Sequence, residues 1–205
     1  METAPNGARR NISTTRQVCT IVDTEHHIRI LAISGSLRRA SSNSAVVGAA
    51  ALLAPVAVKL SIFGGLAELP PFNPDLDGDG TPEVVARFRA SLRACDAVLL
   101  SSPEYAHGVP GVVKNALDWV VGSGELIGKP IALVNASARA THAWASLAET
   151  LSVMSARVVP DASVTLSLAG RALDADGIVG DTELSAALRS AIDALVRAVR
   201  DAHVS

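Results

Sequence analysis

Ile28-Arg29-Ile30-Leu31-Ala32-Ile33-Ser34, closed by Gly35, is the stretch that decides the fold. It is short, rich in Ile and Leu, and apolar at consecutive positions, as a strand covered on both faces is. Such a strand needs helices above and below it, and the flanking sequence supplies them. Asn43 or Ser44 caps a helix through Val46, Val47, Ala50, Ala51 and Leu53, which Pro55 stops. Val56 to Phe63 reads as a second strand. Gly64 to Gly80, broken by Pro70, Pro71, Pro74 and an Asp/Gly cluster, is a long surface loop of the kind that often carries function.

Thr81-Pro82-Glu83 then opens a helix with a cap, a first-turn proline and an early acid. Val84, Val85, Phe88 and Leu92 recur in it at helical spacing, and it ends near Cys95. Asp96 to Ser102 is a buried strand, Pro110 to Val121 a helix, and Lys129 to Ser137 another strand. Ala143, Leu147, Leu151 and Met154 form a fourth helical stripe, and Arg157 to Leu166 is a β-rich segment. Asp181 caps a last helix carrying Leu184, Leu188, Ile192, Leu195 and Val199. Five strands alternating with five helices demand right-handed parallel crossovers and a three-layer α/β sandwich. Ligands of such sheets sit beyond the carboxyl ends of the strands, where strand order reverses. The loops after the first and third strands are therefore expected to meet at a site. No repeat or second-domain linker interrupts residues 28–205, and residues 1–27 read as a flexible N-terminal extension.

Composition removes other classes. The 205 residues are 49% hydrophobic, enough for one domain with a sizeable core. Eighteen Lys plus Arg against twenty Asp plus Glu leave a net charge of -2, with no excess to attract nucleic acid or an anionic membrane. The rings of Phe63, Phe72, Phe88, Tyr105, Trp119 and Trp144 are scattered, which argues against a base-stacking surface. Cys19 and Cys95 cannot build a disulfide framework or a four-thiolate metal site, so a cytoplasmic location is expected. The longest apolar stretch, Ala45 to Val58, is broken by Pro55 and is shorter than the ~20 residues of a spanning helix. Residues 1–27 lack the apolar core of a secretory signal.

After the first strand the chain reads Gly35-Ser36-Leu37-Arg38-Arg39-Ala40-Ser41-Ser42-Asn43-Ser44 and enters a helix directly. Amides at a helix N-terminus, several hydroxyls and the guanidinium of Arg38 or Arg39 suit a phosphate dianion. Neither G-x-x-x-x-G-K-[ST] nor G-x-G-x-x-G is present, so the loop suits a metal-free terminal monophosphate. The plainer reading is that the serines cap a helix and the arginines are solvated. After the third strand, Ser101 to Trp119 holds the chain's one Tyr together with Pro103, Glu104, His107, Gly108 and Pro110. A segment stiffened by prolines offers backbone donors and acceptors at low entropic cost to the edge of a planar heterocycle, and a flavin has such an edge.

At these two loops, GSLRRASSN and PEYAHGVPGVVKNALDW, the chain resembles the NADPH-dependent FMN reductase family of flavodoxin-like proteins, which includes quinone and chromate reductases. The resemblance runs from about Ile28 through the last helix. It implies an α/β flavodoxin-like three-layer sandwich whose five-stranded parallel sheet has the order 2-1-3-4-5, with helices on both faces. By matching position, Ser36, Arg38, Ser41 and Asn43, with Ser44 beside them, would hold the FMN phosphate. Pro103, Glu104, Tyr105 and the backbone at Ala106 and His107 would line the ring, with a further ring contact at Ser137. Ala106 stands where the family often has Asn and Gly108 where it often has Ser, and residues 135–143 lack the glycines common there. The implied cofactor is FMN, with NADPH or NADH as co-substrate and a quinone or similar small electron acceptor, in a ping-pong cycle. No side chain is expected to act as a catalytic acid, because reduced flavin transfers hydride without one, and His107 is read as a positioning group. An electron carrier resembling flavodoxin, or a flavin-free binding or regulatory protein, are the alternatives.

Other features carry less. Asp75, Asp77, Asp79 and Gly80 mimic the start of a calcium loop, but the twelfth position holds Ala86 and no helix precedes it. The histidines share no metal-ligand spacing, so no metal is expected, and Cys95 reads as inert packing. On the helix Pro110 to Val121, Lys114, Asn115 and Asp118 fill a polar arc of only about 100°. That leaves more apolar surface than one sheet face covers, so burial of Trp119 against a second subunit is expected, in keeping with the homodimer or dimer of dimers that the resemblance implies.

Overall fold

The computed structural model describes residues 1, 27–168 and 170–204. Cys19, His26 and nearly all of the expected extension lie outside the described residues. From there the chain alternates as β1 (Ile28–Ser34), α1 (Ser42–Leu53), β2 (Val58–Phe63), α2 (Glu83–Ala94), β3 (Ala97–Ser101), α3 (Gly111–Val121), β4 (Pro130–Asn135) and α4 (Thr141–Val153). It then continues through β5 (Arg157–Val158), β6 (Val164–Thr165), α5 (Ala175–Gly180) and α6 (Thr182–Val204). Every strand pair is parallel, and the order is β2-β1-β3-β4-β5 with β6 also on β4. This is the flavodoxin-like α/β sandwich.

Alternation along each strand builds two cores from one sheet. Ile30, Ala32, Ala97, Leu99, Ala132 and Val134 pack with α1, α5 and α6, while Leu31, Ile33, Val98, Leu100, Ile131 and Leu133 pack with α2, α3 and α4. Strand order reverses between β1 and β3, which pair in register from Ile30 opposite Ala97 to Ser34 opposite Ser101. Both strands end at that point, so their outgoing loops emerge side by side. Gly35 belongs there for a steric reason. A Cβ would lie 2.6 Å from Val113 Cγ2 and 2.7 Å from Ser102 Oγ, inside van der Waals contact. A second close approach lies on α1, where a Cβ on Gly48 would come within 3.1 Å of the Ala175 Cβ of α5.

Several boundaries differ from the sequence reading. Ser41 caps α1, its Oγ accepting from the N–H groups of Asn43 and Ser44, so neither of those residues is the cap. The chain turns at Pro55, where Val58 N–H bonds its carbonyl, and β2 therefore starts two residues late. The single β-rich segment is two short strands, because Pro160 cannot donate to a ladder and the chain makes a 3-10 turn over Pro160–Ala162 before rejoining β4. The short helix α5 was not anticipated; Asp174 caps it through Gly177 N–H, and Asp181 caps α6 as expected.

Trp119 is a correction. It is fully buried within its own chain, donating its indole N–H to Pro70 O at 2.8 Å and meeting Phe72 edge-on with centroids 5.0 Å apart. Asn115 adds a bond from its amide to Pro70 O and accepts Phe72 N–H at 2.8 Å. The 64–80 loop thus covers Trp119, and no second subunit is needed for it, while Val121 at the end of α3 stays exposed. Arg89 fixes the far end of this strap by bonding Asp77 Oδ1 and Trp119 O, which gives Asp77, read above as part of a calcium-like run, an ion-pair role. No described helix is long and apolar enough to cross a membrane.

Candidate functional site

The loop from Ser36 to Ser41 is held by its own serines. Ser36 Oγ accepts Arg38 N–H at 3.3 Å, Ser34 and Ser44 hydroxyls lie 2.9 Å apart, and buried Asn43 accepts from Ser101 Oγ at 2.9 Å. The last bond ties the end of β3 to the start of α1. Asn43 Oδ1 is thus engaged by Ser101 and the Ser44 hydroxyl by Ser34, residues that were expected to serve a phosphate. The N–H groups of Leu37, Arg39, Ala40 and Ser41, the Ser42 hydroxyl and the guanidinium groups of Arg38 and Arg39 have no partner among the described residues. This is a cationic nest of donors at a helix N-terminus, and its chemistry fits a phosphate monoester.

Beside it, Ser102, Pro103, Glu104 and Tyr105 form the second wall. Glu104 reaches across to α4, where its Oε2 accepts Ala143 N–H at 2.8 Å and caps a helix that has no side-chain cap of its own. Beyond Tyr105 the chain reverses. Tyr105 and Gly108 exchange both backbone hydrogen bonds, and Ala106 and His107 take φ values of 49° and 60°, the geometry of a two-residue hairpin turn. Ala106 and His107 form the tip of this reversal, which uses the Tyr105 and Gly108 amides internally. His107 is exposed and stacks edge-on against His142 with centroids 4.4 Å apart, its Nδ1 3.8 Å from Glu104.

The nest, this wall, residues 135–140, Leu168 and residues 170–175 border a cavity of about 970 Å³. Ser36, Arg38, Ser41, Asn43, Ser44, Pro103, Glu104, Tyr105 and Ser137 all border it, so two loops distant in sequence converge as expected. Three further contributors were missed. Asn135 braces the loop after β4, accepting Ser137 N–H at 3.0 Å and donating to Ala140 O at 3.1 Å. Its signal was a polar residue ending an apolar strand near the reversal. Arg139 and Arg171 add charge, Arg171 being paired with Asp181 at 2.6 Å. Backbone donors at Leu184 and the Arg171 charge hold the Asp181 carboxyl below its ordinary range. Residues 170–175 gave no signal, since a six-residue helix is too short to show a period. Away from the cavity, burial raises the Cys95 thiol pKa against the opposing charge of Lys129, in line with an inert packing role.

The match to known proteins spans both loops: residues 28–171 match the family model described as NADPH-dependent FMN reductase. The chain belongs to that family. An NAD(P)H-dependent FMN reductase from Pseudomonas aeruginosa is 35% identical over 178 residues, spanning 84% of this chain and 96% of its relative. A quinone reductase from Pseudomonas putida is 40% identical over 111 residues, 53% of this chain and 59% of that protein. Among solved structures, FerB, a flavoenzyme NAD(P)H:(acceptor) oxidoreductase from Paracoccus denitrificans, has a TM-score of 0.69 at 29% identity, covering 85% of this chain and 98% of that one. Oxidised flavodoxin 1 from Bacillus cereus, at TM-score 0.53 and 15% identity over 82% of this chain and 97% of that one, shares the fold. This member of the FMN reductase family is an oxidoreductase of the NAD(P)H-dependent FMN and quinone reductase type.

Proposed function

We propose that the cavity holds FMN and that the protein passes hydride from NAD(P)H to a quinone or similar small acceptor in a ping-pong cycle. The observation that carries this reading is the convergence, in one cavity, of unpartnered loop amides with Arg38 and Arg39 on one side and the Pro103-Glu104-Tyr105 wall on the other. Bound FMN would supply the chemistry, accepting a hydride from the nicotinamide and giving it to the acceptor. The chain's own residues hold and orient. The Ser36–Ser42 loop anchors the phosphate with backbone N–H groups, the Ser42 hydroxyl and Arg38. Pro103, Glu104 and Tyr105 form a rigid edge for the ring, since Glu104 is bonded to α4 and the turn beyond Tyr105 is closed. Ser137 borders the cavity from the loop after β4. One aromatic side chain, Tyr105, stands on the wall, so a second flat molecule has room to stack on the open face. That suits an enzyme with alternating small substrates better than a carrier that sandwiches its flavin.

The resemblance further implies a homodimer or dimer of dimers, in which Trp119 is already covered by its own chain. Purified protein tests the central reading. Stoichiometric flavin, with steady-state NAD(P)H consumption by a quinone and no protein partner, is the expected result. A colourless protein that takes up no FMN on titration overturns it.

A further inference from the structure

We propose that Arg139 recognises the 2′-phosphate of NADPH and so sets the preference between the two nicotinamide coenzymes, an inference that rests on the flavin reading above. Four arginines border the cavity, and their circumstances differ. Arg38 and Arg39 belong to the phosphate nest, and Arg171 is neutralised by Asp181 at 2.6 Å. Arg139 lies on a separate wall, in the loop after β4 that also carries Ser137, and its exposed guanidinium has no partner among the described residues. The acids bordering the same cavity are engaged elsewhere, Glu104 with Ala143 N–H and Asp174 with Gly177 N–H.

The backbone beneath Arg139 is fixed while its side chain is not. Asn135, 6% exposed, grips both sides of the loop through Ser137 N–H and Ala140 O, and Ser137 Oγ accepts Arg139 N–H at 3.3 Å. A braced loop that presents an unpaired, planar cation toward a cavity is suited to a second dianion beyond the one in the nest. The cavity, about 970 Å³, lies at the top of the ~300–1,000 Å³ range of small-molecule sites and leaves space beside a bound flavin. NADPH and NADH differ at one group, a phosphate in place of a hydroxyl, and an arginine is the usual discriminator.

The test compares wild type, Arg139→Ala and Arg139→Lys, each loaded with FMN. Calorimetric binding of adenosine 2′,5′-bisphosphate and of adenosine 5′-monophosphate is measured beside KM for both coenzymes. Arg139→Ala is expected to weaken the bisphosphate and raise KM for NADPH by about ten- to a hundredfold, the range of a hydrogen bond to a charged group, leaving the monophosphate and NADH within about twofold. Arg139→Lys restores part of the loss. Equal effects on both coenzymes, an unchanged ratio, or a wild type that binds the two nucleotides alike overturns the proposal while the flavin reading stands. Failure of FMN to bind removes the flavin reading and this inference with it.

Discussion

Ala106 sits at φ 49° in the turn closed by Tyr105 and Gly108, a left-handed conformation that costs a residue with a Cβ about 1–2 kcal/mol. Asn tolerates that region better than Ala. Ala106→Asn is expected to raise stability by about 1 kcal/mol, read as a rise of about 2–4 °C in melting temperature. Arg38→Ala tests the nest. Loss of one charge-assisted contact is expected to weaken FMN about tenfold or more by fluorescence titration, with the melting temperature of the flavin-free protein unchanged. Unaltered affinity would assign the phosphate elsewhere. At this scale the sequence was readable where a residue's type dictates its partner. Arg38 stood out because a guanidinium in a serine loop has few alternatives, and its side chain borders the cavity without a partner among the described residues. The Asn43 bond to Ser101 was not legible, since no spacing rule links positions 58 residues apart.

Between elements, the strap over α3 is held by Asn115 and Trp119 on one side and Arg89 on the other. Asn115→Ala would leave Phe72 N–H and Pro70 O without that partner and is expected to cost about 1–3 kcal/mol by denaturant unfolding, with faster proteolysis within residues 64–80. A second tie joins β1 to the start of β3. Asp96 accepts Arg29 N–H at 2.8 Å and pairs with its guanidinium at 2.9 Å. Burial opposes its charge, but the Arg29 hydrogen bonds and charge, with Lys129, outweigh burial and hold the carboxyl below its ordinary range. Because the folded pKa is depressed, the stabilisation is full above about pH 4 and is lost as pH falls through the folded value. Denaturant midpoints of Asp96→Asn are therefore expected to fall less than those of wild type over that window. An identical acid dependence would assign no linkage to the pair. The helical pattern of α3 exposed its apolar excess correctly but could not name its cover, because a wheel counts faces and ignores loops. Pro160 signalled the break between β5 and β6 yet was read through, since a short edge segment has little alternation to interrupt.

Across the whole molecule, alternation alone dictated the sheet and put the reversal between β1 and β3, so the position of the site was legible before its lining was. The far wall at Leu168 and residues 170–175 was not, because it depends on how α5 docks. Sedimentation at micromolar concentration is expected to give twice the 21.1 kDa of the chain, and a monomer would end the dimer reading. The docking of α5 turns on Gly48, whose missing side chain lets Ala175 approach α1. A Cβ there would meet that of Ala175 at 3.1 Å, so one of the two helices would have to give by a few tenths of an ångström. Because Ala175 itself borders the cavity, a methyl group on Gly48 is expected to press on the far wall from the α1 side.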